Sequence, residues 1–285
     1  GFEPVLYPSA TAKHGFLSGE DAVRAADINA AFADETIKGI WCTPKYSNPQ
    51  GYSYSDETVR RFAHLKPKAK DFRIYWDNAY TIHHLYDDDQ DYLLEILDEC
   101  RKAGNPDMVY KFASTSKISF PGAGVAMLAA SEENMKQIKS VMTIQTIGFD
   151  KLNQLRHVRF FKNAENIKAH MKKHAAIIQP KFSVVLYMLN KEIAPLGIGS
   201  WVSPKGGYFV SLYTMPGTAK RTWQLCKEAG VTLTTAGAAY PNSYNPNDNH
   251  LRLAPSLPPV EDLNKAMEVL TICLKLSALE KLLNK

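Results

Sequence analysis

Four short apolar runs constrain what this chain can fold into more than any other feature. Residues 37–43 (IKGIWCT), 72–76 (FRIYW), 108–113 and 124–130 (GVAMLAA) have strand length and strand-like content. Helical patterns separate or follow them. Ser55 can cap a helix with Asp56 and Glu57 in its first turn and Val59, Phe62 and Leu65 on one face. Residues 91–103 carry Leu93, Leu94, Ile96 and Leu97 and close at Gly104. A further helix opens at Ser131. Strands alternating with helices predict an α/β fold: a mainly parallel sheet with helices on both faces and right-handed crossovers. Ligands of such sheets bind beyond the carboxyl ends of the strands. Asn48, Asp77 and Lys117 each follow a predicted strand, so all three can share one crevice although they are distant in sequence.

After residue 150 the pattern changes. Residues 163–193 read as a long helix, interrupted or kinked at Pro180. Residues 206–214, 230–235 and 250–256 read as strands, and 217–229 and 260–282 as helices. Val260, Leu263, Met267, Leu270 and Leu274 recur at helical spacing, which is core packing. The expected division is a large domain over 1–160, an interdomain helical segment over 161–195 and a smaller α+β domain over 196–285. The opening GFEPVLYP reads as a strand already under way.

Bulk properties exclude several functions. The net charge of +5 is modest and the basic residues are scattered. Lys172 and Lys173 and the C-terminal lysines fall within helical patterns and read as solvated faces, so no nucleic-acid partner is expected. No apolar run is long enough to span a bilayer and no signal peptide is seen, so no membrane partner is expected. Cys42, Cys100, Cys226 and Cys273 form no CxxC pair and sit in apolar or helical contexts, as buried thiols of a reducing, cytoplasmic setting would. His83-His84 before Asp87-Asp88-Asp89 could suggest metal ligands. Adjacent side chains point apart, however, and an acidic run before a helix favours its N-terminus, so no metal is expected.

The residues past the strands have a shared chemistry. A lysine amine is a nucleophile toward an aldehyde. Pyridoxal 5'-phosphate offers an aldehyde, a ring nitrogen, a phenolate oxygen and a phosphate, each wanting a different partner. Asp77 is the candidate carboxylate for the ring nitrogen. Tyr80 and the Asn48 amide are candidate donors to the phenolate oxygen. Ser114 and Ser116, flanking Lys117, can serve the phosphate. Alone, Asp77 reads as a turn residue, Tyr80 as a core tyrosine, Asn48-Pro49 as a turn and Arg252 as a surface strand residue. Together with Lys117 they make the functional reading the stronger one.

The set SNPQG (47–51), DNAY (77–80), STSK (114–117) with PGAG (121–124), and HLRLAPS (250–256) resembles the fold-type I pyridoxal phosphate enzymes of the class I/II aminotransferase kind. The resemblance covers essentially the whole chain, in order and spacing. GGYF (206–209) is similar to the strand that borders the substrate in these enzymes. IWCTPKYSNPQG and DKLNQLRHVRFF are most similar to the divergent branch of bacterial aspartate aminotransferases. The resemblance implies that Lys117 is the Schiff-base lysine and proton shuttle, that Asp77 pairs with the pyridinium, and that Tyr80 and Asn48 hold the phenolate oxygen. It further implies Ser114 and Ser116 at the phosphate and Arg252 clamping the substrate α-carboxylate, a bidentate task a lysine could not perform. It also implies a homodimer, and amino-group transfer from L-aspartate or a similar amino acid to 2-oxoglutarate. Another pyridoxal phosphate reaction such as β-elimination, or a non-catalytic effector module of a transcription regulator, would use the same residues.

Two departures stand out. Many relatives carry a phosphate-binding arginine after the lysine, within PGxR; here that place is Ala123. Arg156 is a substitute candidate that could reach a partner subunit's site, against the plainer reading of a surface ion pair. Residues 1–36 hold neither the expected phosphate loop nor the ring-stacking aromatic. A substantial N-terminal portion of the full protein is therefore expected to be absent from this sequence.

Overall fold

The computed structural model describes residues 33–240, 243 and 245–283. The strand expected at GFEPVLYP lies outside these residues. In the first sheet, β1 (Gly39–Cys42), β2 (Arg73–Asp77) and β3 (Val109–Ser114) run parallel in that order. The fourth run forms β4 (Ala126–Ala129), which returns antiparallel to β3 and, among the described residues, edges the sheet. The register sets Asp77 opposite Phe112, so β2 and β3 end at the same height.

Helix α1 (Asp56–Ala63) is capped as its sequence dictates: the Ser55 side chain accepts from the Thr58 N–H, and Asp56 and Glu57 fill the first turn. Helix α2 (Ile96–Lys102) starts later than its leucines suggest because Glu95 acts as the cap, accepting from Leu97 N. The same carboxylate pairs with Lys111 Nζ at 2.5 Å. Val59 and Phe62 of α1, with Ile96 and Cys100 of α2, bury Ile74, Trp76 and Val109 on one face of the sheet. The other face carries Trp41, Tyr75 and Phe112 as stacked rings, with Trp41 63% exposed. Helix α3 (Glu132–Gln145) follows the Ser131 cap. Helix α4 (Lys151–Phe161) was not read from the sequence, where DKLNQLRHVRFF has no clean apolar stripe.

Helix α5 (Ala164–Glu192) runs through Pro180 without the expected interruption. Ala176 and Pro180 are both exposed, so the carbonyl that proline leaves unpaired faces water. The second sheet is antiparallel throughout: β5 (Gly199–Trp201), β6 (Val210–Thr214) and β7 (His250–Leu253). Its core joins Phe182, Val185 and Leu189 of α5, Cys226 of α6 (Ala219–Glu228), and Leu263, Met267, Leu270 and Leu274 of α7 (Val260–Leu283). All four cysteines are free and buried.

Two strand expectations need correction, and one strand was not expected. Residues 230–235 form no strand: Val231 and Leu233 pack on the second core, and Trp223 Nε1–H donates to Leu233 O at 3.3 Å. Three-residue β5 is too short to have left a periodic signal. The strand expected from 206 begins at Val210, because Gly206 and Gly207 instead cross to the first half of the chain. Gly206 bridges His84, and Gly207 N–H donates to His83 O at 2.9 Å. Gly207 has φ +77°, and a Cβ on Gly206 would lie 2.3 Å from the Tyr46 ring and 2.5 Å from His83 O. Tyr46 is fully buried and the carbonyl cannot retreat, so Gly206→Ala should cost about 1–3 kcal/mol, read as a lower urea midpoint.

Candidate active site

Each candidate residue is delivered by a strand end and fixed by the turn that follows. Past β2, Asn78 N–H extends the ladder by donating to Phe112 O at 2.9 Å, and its side-chain amide donates to Thr81 Oγ1 at 3.1 Å. That turn places Asp77 at the sheet end and buries Tyr80. Past β3, Ile118 and Ser119 N–H both donate to Thr115 O, at 2.9 and 2.8 Å, closing a tight turn around Lys117. Past β1, Gly51 N–H donates to Ser47 O at 2.6 Å, which turns the chain at Asn48.

These turns converge. Lys117 Nζ lies 5.2 Å from the centroid of the Tyr80 ring. Tyr80 packs edge-on against Tyr208 at 6.0 Å and Phe209 at 6.4 Å. The Arg252 guanidinium lies 4.7 Å over the Phe209 ring and donates from Nη1 to Asn48 Oδ1 at 3.0 Å. Lysine, tyrosine, phenylalanine and arginine thus form one chain of cation–ring and ring–ring contacts across the gap between the sheets. Arg252 Nε is buried with no partner among the described residues.

The electrostatics of this cluster follow from burial. Burial first, then the Asp77 carboxylate, pushes the Tyr80 phenol up to about 12, and Arg252 opposes the shift. Tyr80 therefore presents a protonated hydroxyl at any working pH. Asp77 makes no ion pair with a described residue, so its carboxylate is available to a ligand.

Ser116 N–H points to Ser114 Oγ at 3.4 Å, and Gly124 closes over Ser116, where a Cβ would meet Oγ at 2.7 Å. Helix α4 braces this loop from behind. Asn153 Nδ2–H donates to Ala123 O at 2.8 Å, and His157 Nε2 lies 2.7 Å from Ser119 Oγ and 3.1 Å from Thr115 Oγ1. Arg156, on the same helix, is exposed and bonds no described residue. Sequence reasoning did not single out Asn153, His157 or His83 as supports. A buried histidine bonded to a backbone carbonyl or a hydroxyl leaves no periodic signal.

A family model described as aspartate amino-transferase matches residues 19–285. The chain belongs to the aspartate aminotransferase family. An aspartate aminotransferase of Corynebacterium glutamicum is 41% identical over all of this chain and 63% of its own length. A crystal structure of an aspartate transaminase from C. glutamicum superposes with a TM-score of 0.87 at 43% identity, over 89% of this chain and 60% of its own. The α-aminoadipate aminotransferase of Thermus thermophilus, complexed with N-(5'-phosphopyridoxyl)-L-leucine, shares the fold at a TM-score of 0.68 and 22% identity, covering 84% of this chain and 59% of its own. The chain thus spans about six-tenths of the length of the relatives it matches. Among its described residues, no helix is long and apolar enough to cross a membrane.

The raised Tyr80 phenol has a stability consequence. Its folded value of about 12 stands above the ordinary 10.0, so its contribution is fully present below pH 10 and is lost as pH rises toward 12. Tyr80→Phe should therefore flatten the alkaline loss of stability between about pH 10 and 12, read from melts against the wild type.

Proposed function

We propose that this chain acts in a pyridoxal phosphate-dependent aminotransferase that moves the amino group of L-aspartate or a similar amino acid to 2-oxoglutarate. The observation that carries the reading is the convergence of Lys117, Tyr80, Phe209, Arg252 and Asn48 beside Asp77, which has no ion-pair partner among the described residues. The donor set suits the cofactor: an amine, a carboxylate with no ion-pair partner among the described residues, a phenol that stays protonated, and two hydroxyls, that of Ser116 under a glycine. When bound, pyridoxal phosphate supplies an aldehyde and an electron-withdrawing ring.

Lys117 Nζ would hold that aldehyde and, as a free amine once the amino acid's nitrogen has replaced it there, would carry the proton of the α-carbon. The Asp77 carboxylate favours a protonated ring nitrogen. Tyr80 Oη and the Asn48 amide donate to the phenolate oxygen. Ser114, Ser116 and nearby backbone N–H groups receive the phosphate. Arg252 binds the α-carboxylate. Asn48 Oδ1 aims one side of its fork. The reading carries with it a homodimer, a cytoplasmic setting and the three-part division at residues 160 and 195. Substrate preference for aspartate is supported by the aspartate aminotransferases among the relatives at 41% and 43% identity.

Lys117→Ala in the intact protein should abolish the visible band of the lysine-bound cofactor and lower turnover by about 10³-fold or more. Retention of both would sink the assignment. Arg252→Ala should raise the KM for the amino acid about 10–100-fold while the visible band stays; loss of the band instead would mean that Arg252 serves the cofactor. Product analysis separates the reactions: oxaloacetate with glutamate for transfer, pyruvate with ammonia for elimination.

A further inference from the structure

We propose that His83 is a positioning residue for Lys117, tying the lysine's backbone to the Gly206–Gly207–Tyr208 segment that leads to Phe209 and the second sheet. The inference rests on the reading of Lys117 as the amine that acts.

Three elements of the site meet at this one residue. His83 Nε2 lies 3.1 Å from Lys117 O. The partner is a carbonyl, which only accepts, so Nε2 carries the hydrogen. His83 N–H donates to Tyr80 O at 3.2 Å, and His83 O accepts from Gly207 N at 2.9 Å. The imidazole packs edge-on against Tyr80 at 5.6 Å and Tyr208 at 5.5 Å. Tyr208 Oη–H adds a second donor to Lys117 O at 3.3 Å. The turn bearing Tyr80, the turn bearing Lys117 and the glycine pair are therefore held by one side chain and its own peptide groups. A shift of residues 206–208 is transmitted to the carbonyl of the lysine.

The plainer account is a core histidine that happens to be satisfied. The other ring nitrogen argues against it: Nδ1 is buried with no partner among the described residues. Burial pushes this imidazole down to about 4 against the opposing bond to Lys117 O, so the ring is neutral and Nδ1 is a bare acceptor. An apolar side chain would fill the place without that orphan atom. What the imidazole adds is the bond to Lys117 O.

The test is competitive acylation of the intact protein without added cofactor. A small water-soluble acylating reagent is used, and mass spectrometry reads the labelling of Lys117 relative to Lys136 on α3. His83→Phe keeps a ring and removes the donor. The Lys117 turn loosens, its amine leaves the Tyr80 face, and the ratio rises about threefold. His83→Gln, whose amide N–H can reach the same carbonyl, restores the wild-type ratio. A structural loss alone would move the melting temperature and both lysines together, not the ratio. An unchanged ratio in His83→Phe, or no restoration by Gln, overturns the proposal. If His83→Phe does not fold, His83→Asn, whose shorter amide falls short of Lys117 O, takes its place with the same two outcomes. Added pyridoxal phosphate forms a separate arm. Absence of a visible band in the wild type would overturn the assigned reaction, and the labelling ratio would still decide the role of His83.

Discussion

The close approach of Gly206 and Gly207 to Tyr46 and His83 is the contact on which the rest of the site depends. It is where the segment leading into the second sheet lies against the loops at the strand ends of the first. No side chain fits at Gly206, and Gly207 needs a positive φ. The Tyr46 backbone itself has φ 49°, a left-handed conformation uncommon for a bulky residue, and its hydroxyl is held by His84 Nδ1 at 2.7 Å and Asp91 N at 3.2 Å. Strain of this kind persists where surrounding contacts over-determine the backbone. Here they fix the height at which Tyr208 and Phe209 meet Tyr80.

From that contact the electrostatic layout follows. The rings of Tyr80 and Phe209 separate two cations, Lys117 and Arg252, which would repel if they shared one pocket wall. Each cation sits over a ring face, and Asp77 supplies the opposite charge beside them. A ligand with carboxylate at one end and a basic ring nitrogen at the other matches this sequence of charges. The loop around Lys117 owes its shape to main-chain bonds and to α4, which supports it through Asn153 and His157. The loop is thus well braced although Ala123 supplies no cation to it.

Much of this was legible in the sequence where local rules dominate. Ser55 and Ser131 announced their helices because capping is a short-range interaction. The strand runs of the first sheet were legible because buried parallel strands read as continuous apolar stretches. Asn48, Asp77 and Lys117 could be assigned to one crevice because strand ends in such sheets open on one side. The readings that failed did so where long-range contacts overrode local pattern. Residues 230–235 have strand content, but packing against the second core and the Trp223 bond to Leu233 O took them instead. Pro180 reads as an interruption or a kink, and the helix is not interrupted there because residues 176 and 180 lie on the solvent side of α5.

The sequence by itself determined the α/β class and the residues able to do chemistry, because these follow from residue type, periodicity and the ends of strands. Only the tertiary structure decided how they meet. It set Arg252 against Asn48 and Phe209, left Arg156 in solvent, and brought His83 beneath Lys117. Those outcomes depend on contacts between residues far apart in the chain, set by side-chain packing across two sheets, and no local pattern carries that information.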